Sequence, residues 1–162
     1  MRDIIFKTDE FVFGFRVGGI LRHGDKILLQ RPLTGEYSTI GGHVCVLETA
    51  EETIKREFME ELHAEIEVDN LFCVGENFLP VNGKPCQQIC FFYNVHLVDD
   101  RSIPLEGTFH GYDDFENERM DLDFCWVPLQ ELENGLKVYP LEIIPHILRK
   151  DSSIGYFLSK RI

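Results

Sequence analysis

The sequence predicts a mixed α/β domain. Two observations predict this class: strand-like segments occur in pairs separated by turn residues, and only two or three stretches have helical periodicity. The chain has 162 residues, of which 44% are hydrophobic and 12% aromatic. A chain of this length can bury one sizeable hydrophobic core, and it is too short to favour two domains. We therefore expect a single domain over residues 1–162.

The first pair of strands lies near the start of the chain. Residues 11–21 are aromatic and branched, residues 23–26 have turn composition, and residues 27–30 are branched again, so we expect a hairpin. Gly14, Gly18 and Gly19 lie inside the strand pattern rather than between a strand and a helix. They therefore indicate close backbone packing and not a dinucleotide-binding loop. Residues 31–36 have the composition of a loop.

One amphipathic helix is predicted over residues 49–64. Thr49 is a suitable N-cap, and Glu52 three residues later completes a capping box. At about 100° per residue, one face carries an apolar stripe that we expect to pack on the core. The stripe consists of Ala50, Ile54, Phe58 and Leu62.

Three carboxylates lie on or beside this stripe, namely Glu57, Glu60 and Glu61. The two basic residues of the helix are expected to form ion pairs four residues apart, Glu51 with Lys55 and Glu52 with Arg56, although Arg56 can also reach Glu60. Neither Glu57 nor Glu61 then has a basic partner three or four residues away. A hard divalent cation would relieve the repulsion, because Mg²⁺ is held by carboxylate oxygens and leaves positions open for phosphates.

A solvated acidic face is the alternative interpretation, and most charge runs are of that kind. The preceding segment favours a metal site instead. Gly41 and Gly42 bring backbone close to the acidic face, and Glu48 comes just before the helix.

The segment from Gly42 to Glu61 resembles the signature of the Nudix (MutT-type) hydrolases, which cleave nucleoside diphosphates linked to another group. Gly42 is followed after five residues by Glu48, and after seven more by Arg56-Glu57-Phe58-x-Glu60-Glu61. Six chemically demanding positions match, and chance agreement is on the order of one in ten million per starting position. The chain departs from the family pattern elsewhere. It has Ile40 in place of Pro, His63 in place of Gly, and Cys45 and Leu47 where Glu and Gly are usual.

The resemblance implies an α/β/α sandwich, in which a mixed sheet lies between helices. It also implies metal-assisted hydrolysis of a phosphoanhydride with Mg²⁺ or Mn²⁺. Glu57, Glu60 and Glu61 would hold the metal, and the Gly41 carbonyl is a further ligand. Arg56 and Glu48 would orient these glutamates. In the family, a carboxylate outside the signature often completes the site, so the general base stays open between Glu57 and the pair Glu116 and Glu118.

The segment after the helix predicts further strands. Residues 66–79 and 87–98 are strand-like and joined through Asn82-Gly83, and residues 88–97 are apolar enough for a central strand. Residues 101–123 have the composition of a long polar loop, which is often a binding element or lid. Residues 124–127 indicate a strand, 141–150 a closing helix and 154–158 a packed segment.

Substrate contacts are less clearly indicated. Arg16 and Arg31 are candidates for phosphates because Arg presents a planar fork of donors, although a surface ion pair is an equal alternative. Tyr37, Phe78, Phe109 and Tyr112 could stack on a base, or belong to the core. The partner implied is a small nucleotide-type molecule, and family members are often homodimers.

Charge and cysteine content exclude several classes. The net charge of −12 argues against binding of long nucleic acid but is compatible with a small phosphorylated ligand neutralised by metal ions. The five cysteines form no C-x-x-C pair, so neither a disulfide framework nor a zinc site is expected. With no signal-peptide pattern and no long apolar run, the expected location is the cytoplasm, without a membrane span.

A ligand-sensing or protein-binding module with the Nudix fold and little catalysis is a second hypothesis. The departures at Ile40, Cys45, Leu47 and His63 favour it, whereas the intact charged residues of the signature count against it. An acidic partner-binding helix without metal is a third.

Overall fold

The computed structural model describes residues 2–31, 36–115 and 118–162, without the side chains of residues 113–115 and 118–120. Within these ranges the strands are β1 (Ile5–Lys7), β2 (Val12–His23), β3 (Lys26–Arg31), β4 (Tyr37–Ser38), β5 (Ile66–Val81), β6 (Lys84–Leu97), β7 (Thr108–Phe115), β8 (Glu118–Pro128), β9 (Val138–Tyr139) and β10 (Gly155–Lys160). The helices are α1 (Ala50–Leu62), α2 (Leu129–Glu133) and α3 (Ile144–Leu148), and a 3₁₀ turn at Leu141–Ile143 precedes α3.

The strands form one mixed sheet. Its main path has the order β10-β5-β6-β2-β3-β4-β9, while β1 pairs with β2 and the β7–β8 pair joins through β3. The β2–β6 and β5–β10 pairs are parallel, and the β5–β6 and β3–β8 pairs are antiparallel. Strand β6 lies between β5 and β2, so the prediction of a central strand at residues 88–97 is confirmed.

Two predicted hairpins are present. Asn82 and Gly83 have φ of 50° and 77° and connect β5 to β6, as expected for a two-residue turn that needs two positive φ values. The β2–β3 hairpin is short, because only Arg22 and His23 pair with Ile27 and Lys26. On its other edge, β3 pairs with β8 along its whole length, from Lys26 to Arg31.

The prediction of a long polar loop at residues 101–123 is wrong for most of that range, which forms β7 and the first part of β8. The acidic composition concealed an alternating pattern. Leu122, Phe124 and Trp126 face a core and are at most 8% exposed, while the residues between them face away. Gly111 lies within β7, where a Cβ would come within 2.6 Å of the Glu61 carbonyl oxygen.

Helix α1 begins as predicted. Thr49 accepts a hydrogen bond from the Glu52 amide, and the Glu52 side chain accepts one from the Thr49 amide at 2.8 Å. Ile54 and Phe58 are fully buried and Leu62 is 7% exposed. The helix ends at His63, whose left-handed conformation (φ 53°) lets its N–H bond to Met59 and Phe58 carbonyls.

The helices cover both faces of the sheet, which gives the expected α/β/α sandwich. On one face, Ile54, Phe58 and Leu62 of α1 join the first core. On the other, Leu132 of α2, Ile143 of the 3₁₀ turn and Ile147 of α3 join a second core. In the described part of the chain, no helix combines the length and apolar character that a membrane crossing requires.

The last elements are shorter than expected. The predicted closing helix at 141–150 is a 3₁₀ turn followed by the five-residue α3. The packed segment predicted at 154–158 is strand β10, which lies parallel to β5 at one edge of the sheet.

The loop before α1 contains a conformation that disfavours its residue. Leu47 has φ of 68° and is 99% exposed, so its side chain gains little from packing. A non-glycine residue in the left-handed region costs about 1–2 kcal/mol. Leu47→Gly should therefore raise the free energy of unfolding by about 1 kcal/mol, measured by urea denaturation.

Val46→Gly is the matched control, because Val46, unlike its neighbour Leu47, does not have a positive φ. That variant should lose stability through the added freedom of the unfolded chain. A Leu47→Gly variant that is no more stable than the wild type would contradict the role of this conformation.

Candidate active site

The glycine loop runs beside β2. The carbonyls of Ile40 and Gly42 accept hydrogen bonds from the amides of Gly19 and Val17 at 2.8 and 2.9 Å. At Gly41, whose φ is 153°, a Cβ would collide with the Val17 carbonyl oxygen. Glycine is therefore required here for the loop to approach the strand.

Gly42 makes space for a carboxylate of the helix. A Cβ on Gly42 would collide with both carboxylate oxygens of Glu57. Because Glu57 is 8% exposed, its head group has little other space to occupy. The first glycine of the signature thus positions Glu57, the first of the three glutamates of α1 that are predicted to hold the metal.

Arg56 contacts three of the glutamates in the signature. Its Nη1 donates to Glu57 at 2.7 Å and to Glu60 at 2.9 Å. Its Nε and Nη2 donate to the two oxygens of Glu48 at 2.9 and 3.1 Å. Burial disfavours the charged guanidinium, but these hydrogen bonds and charges outweigh it and raise the pKa of Arg56, which stays protonated.

Glu48 joins the loop to the helix. Besides the two bonds from Arg56, it accepts a hydrogen bond from the Cys45 amide at 3.3 Å and from the Thr53 hydroxyl at 2.9 Å. Burial acts to raise the pKa of this carboxyl, but the hydrogen bonds from Arg56 and Thr53 lower it below its ordinary value. Glu48 is therefore ionised at neutral pH. Arg56 adds a bond to the His43 carbonyl at 3.2 Å, so several groups fix the loop.

Of the ion pairs expected within α1, Arg56 with Glu60 is present, whereas Glu51 with Lys55 and Glu52 with Arg56 are not. Lys55 pairs with Glu67 of β5 at 2.7 Å rather than with Glu51. Glu52 accepts from Thr49 in the capping box, and Arg56 is used by Glu48, Glu57 and Glu60. Partners from the loop and the sheet replace the local partners that sequence spacing suggests.

The acidic groups of α1 differ in exposure. Glu61 is 4% exposed and Glu57 is 8% exposed, whereas the Glu60 side chain is 48% exposed. Within residues 2–31, 36–115 and 118–162, no group of three His, Cys, Asp or Glu side chains is already arranged to hold a metal ion. The donor chemistry nevertheless fits Mg²⁺ or Mn²⁺, because all the candidate ligands are oxygens and glycine leaves space beside one of them.

The two glutamates predicted outside the helix are only partly located. Glu116 lies outside the described residues. The backbone of Glu118 begins β8 and pairs with Phe115 at the end of the β7–β8 hairpin. This hairpin passes the end of α1, where Gly111 approaches Glu61.

A short segment at the start of the described chain supports the loop from the other side. The Ile4 amide donates to the Val44 carbonyl at 2.7 Å, and the Val46 amide donates to the Arg2 carbonyl at 2.9 Å. The Cys45 thiol lies 3.5 Å from an Asp3 carboxylate oxygen. Residues 2–4 thus extend the sheet onto the signature loop.

A cavity of about 90 Å³ opens beside Gly41, and we call it the amide cavity. Its polar lining residues are Arg16, Gln30, Ser38, Thr39, Asn77 and Gln88. Of the predicted substrate residues, Arg16 lines this cavity. Arg31 and Tyr37 line neither this cavity nor the next one.

A second cavity of about 200 Å³ lies at the other end of α1, beside Glu61 and His63. It includes two of the predicted stacking candidates, Phe109 and Tyr112. The His63 and Tyr112 rings meet edge to face with their centroids 5.3 Å apart.

Sequence reasoning missed Asn77 and Gln88. Both are buried polar residues on strands whose other inward-facing positions are apolar, at 1% and 8% exposure. A polar residue that interrupts the apolar alternation of a strand is the signal that could have found them.

The NUDIX domain model matches residues 12–147. A MutT protein from Bacillus halodurans has a similar structure, with a TM-score of 0.60, 22% identity and 91% of each chain covered. A NUDIX hydrolase from Nitrosomonas europaea has a TM-score of 0.57 at 19% identity, covering 90% of this chain and 79% of its own.

An ADP-ribose pyrophosphatase from Streptococcus suis has a TM-score of 0.54 at 16% identity, covering 89% of this chain and 98% of its own. At these identities the structural likenesses show the fold. No curated protein matches the sequence.

The contacts of Arg56 predict a stability difference between two neighbouring basic residues. Arg56→Lys keeps the charge but cannot reach Glu48, Glu57 and Glu60 together. Because Glu48 and Glu57 are mostly buried, the free energy of unfolding should fall by about 2–3 kcal/mol.

Lys55→Arg is the control, since the pair that Lys55 forms with Glu67 is exposed and exchange of its cation should change stability little. Urea denaturation of both variants measures the difference. Equal stability of the two variants would show that the network around Arg56 does not hold the loop.

Proposed function

Because the chain belongs to the NUDIX domain family and is a Nudix hydrolase, we propose that it hydrolyses the phosphoanhydride bond of a nucleoside diphosphate linked to another group, with Mg²⁺ or Mn²⁺ as cofactor. The observation that carries the proposal is the bonding of Arg56 to Glu48, Glu57 and Glu60, which fixes an acidic site beside the glycine loop. The similarity to a protein named as an ADP-ribose pyrophosphatase supports the substrate class.

Glu57, Glu60 and Glu61 would hold the metal, together with the carbonyl of Gly41. Bound there, the metal supplies a lowered pKa for an attacking water and neutralises charge on the departing phosphate. The carbonyl oxygens of Ile40 and Gly42, on either side of Gly41, accept hydrogen bonds from β2. In an extended segment, successive carbonyl oxygens point to opposite sides. This alternation supports Gly41 as a ligand, because its oxygen faces away from β2.

Arg56 and Glu48 act as positioning residues in this proposal. Arg56 holds one oxygen of Glu57 and one of Glu60, so each carboxylate keeps a fixed orientation with its second oxygen directed elsewhere. Glu48 holds Arg56 in turn through two hydrogen bonds. We propose Glu57 or the hairpin pair Glu116 and Glu118 as the general base.

Arg16 is the proposed phosphate contact, because it lines the amide cavity next to Gly41.

The remaining parts of the proposal concern the whole chain. We propose one domain over residues 1–162, which is supported by the joining of β1 and β10 to the sheet outside the matched range. We also propose a small-molecule substrate rather than long nucleic acid, a homodimer and a cytoplasmic location, as the charge and the resemblance suggest.

The departures from the signature do not displace its charged residues. His63 takes the left-handed conformation at which the family has Gly, and so does Leu47. Cys45 packs against Arg56, with its sulfur 3.6 Å from Nη2. Because the charged residues of the signature keep their places, these observations favour a catalytic site over the hypothesis of a binding module.

A substrate panel tests the reaction. Nucleoside triphosphates, sugar nucleotides, dinucleoside polyphosphates and ADP-ribose are each incubated with Mg²⁺, with Mn²⁺ and with chelator, and product release is measured. We expect metal-dependent cleavage of at least one compound with a diphosphate linkage. Absence of cleavage across the panel would contradict the proposal.

Neutralising the acidic site should separate activity from stability. Glu57→Gln and Glu61→Gln are each expected to lower kcat by about 100-fold or more. The melting temperature should stay equal or rise in Glu61→Gln because carboxylate repulsion is relieved, whereas it should fall in Glu57→Gln, which also loses its ion pair with Arg56. Glu51→Gln, an exposed position of the same helix, is the control and should keep wild-type kcat. Wild-type turnover in either site variant would refute the assignment.

Gly42→Ala tests the space beside Glu57. The new Cβ would displace the Glu57 carboxylate, so Mg²⁺ should raise the melting temperature less than it does in the wild type. In the double variant Gly42→Ala/Glu57→Asp, the shorter side chain withdraws the carboxylate from the new Cβ. The effects of the two substitutions on the Mg²⁺-induced rise in melting temperature should therefore be non-additive. Strict additivity in this cycle, or an unchanged Mg²⁺ shift in Gly42→Ala, would contradict the contact.

A further inference from the structure

The amide cavity lies on the other face of the sheet from α1. Cys90 and Phe92, which also line it, belong to the second core, whereas α1 packs on the first. The cavity nevertheless reaches Gly41, and the next residue of the loop makes space for Glu57. A ligand seated in the cavity would therefore lie beside the glycine loop that borders the acidic site.

The lining indicates which chemistry the cavity can accept. Arg16 is the charged residue among the described residues that line it, and no carboxylate is among them. Three side-chain amides, those of Gln30, Asn77 and Gln88, supply donors and acceptors. A cationic ligand would be repelled by Arg16, whereas a neutral ring that is attached to phosphates fits the lining.

Asn77 has an acceptor that the described protein does not use. The residue is 1% exposed, and its Nδ2 donates to the Cys90 sulfur at 3.3 Å. Its Oδ1 has no hydrogen-bond partner among the described residues. A buried carbonyl oxygen left in this state is unfavourable, so the site is suited to a ligand N–H.

Cys90 is the described hydrogen-bond partner of the Asn77 side chain. Burial raises the pKa of its thiol to about 11, so at neutral pH the group is an uncharged thiol. Its contact with Nδ2 occupies the donor side of the Asn77 amide and leaves Oδ1 for a ligand.

The size of the cavity limits what can enter. A volume of about 90 Å³ is smaller than the roughly 150 Å³ of an engineered cavity that holds one benzene ring. That space is too small for a whole bicyclic base, but it is sufficient for one polar edge of a ring whose remainder lies at the opening.

We propose that the amide cavity selects adenine or cytosine, whose exocyclic amino group lies at the purine 6-position or the pyrimidine 4-position and donates to Oδ1 of Asn77. This inference rests on the proposed function and specifies its substrate class. The N6 amino group of adenine and the N4 amino group of cytosine are donors, whereas uracil has a carbonyl oxygen at the corresponding position, and so does hypoxanthine, the oxo analogue of adenine. An oxygen there would face Oδ1 of Asn77 and leave both acceptors unsatisfied.

Matched substrate pairs test the selection. The ratio of kcat/KM is measured for ADP-ribose against its hypoxanthine analogue, and for CDP-linked against UDP-linked compounds that carry the same second group. In the pair that is cleaved faster, we expect kcat/KM to be about tenfold or more higher for the compound whose base has the amino group. A ratio near one, or a preference for the oxo compound, would overturn the inference.

Variants assign the selection to Asn77. Asn77→Leu should bring the ratio close to one, mainly through a higher KM for the amino compound. Ser38→Ala is the control within the same cavity and should keep the ratio, because the Ser38 hydroxyl bonds Gln30 at 3.2 Å. Cys90→Ser keeps a partner for Nδ2 of Asn77 and should keep the kcat/KM ratio of the amino and oxo compounds. Cys90→Ala removes that partner and should lower the ratio.

Binding without hydrolysis separates this inference from the proposed function. Calorimetric titration of AMP and IMP in the presence of chelator reports on the cavity alone. Tighter binding of AMP that is lost in Asn77→Leu supports the inference even if no compound in the panel is cleaved. Metal-dependent cleavage combined with equal AMP and IMP binding would leave the function standing and overturn the inference.

Discussion

The arrangement of the site depends on one guanidinium group. Arg56 lies among Glu48, Glu57 and Glu60, and without its charge these carboxylates would repel one another at a partly buried position. The same side chain bonds the loop that precedes the helix, at the His43 carbonyl. These contacts join the loop and the helix into one unit.

Close approach of backbone segments completes this unit. Gly19 allows the Phe58 ring to lie against β2, since a Cβ there would come within 2.5 Å of the ring. Gly111 allows β7 to lie against the end of α1. Glycines inside strands thus allow α1 to lie close to the sheet. This close packing fixes the positions of the glutamates that lie beside the apolar stripe of α1. Stability and function share these residues, because the packing that buries Phe58 also places Glu57.

Local features were predictable from the sequence, and remote ones were not. The capping box at Thr49, the apolar stripe and the Asn82-Gly83 turn depend on residues close together in the chain, and each is present. The partner of Lys55 lies on β5, so helix spacing could not identify it. The hairpin at residues 108–128 was concealed by acidic composition, because a strand with one wet face tolerates many charges. The amide cavity draws its lining from β2 through β6 and β9, and no single stretch contains its pattern.

Strand β10 has a consequence for the order in which the molecule is assembled. It pairs in parallel with β5, and Arg161 just beyond it pairs with Glu36 and lies 4.8 Å from the Tyr139 ring at the edge of the amide cavity. Contacts between such distant parts of a chain form slowly, and during synthesis they must wait until residues 155–161 have left the ribosome. The glycine loop and α1, whose mutual contacts are local, can form earlier. A nascent chain would therefore acquire its acidic site before Arg161 closes against Tyr139 at the edge of the amide cavity.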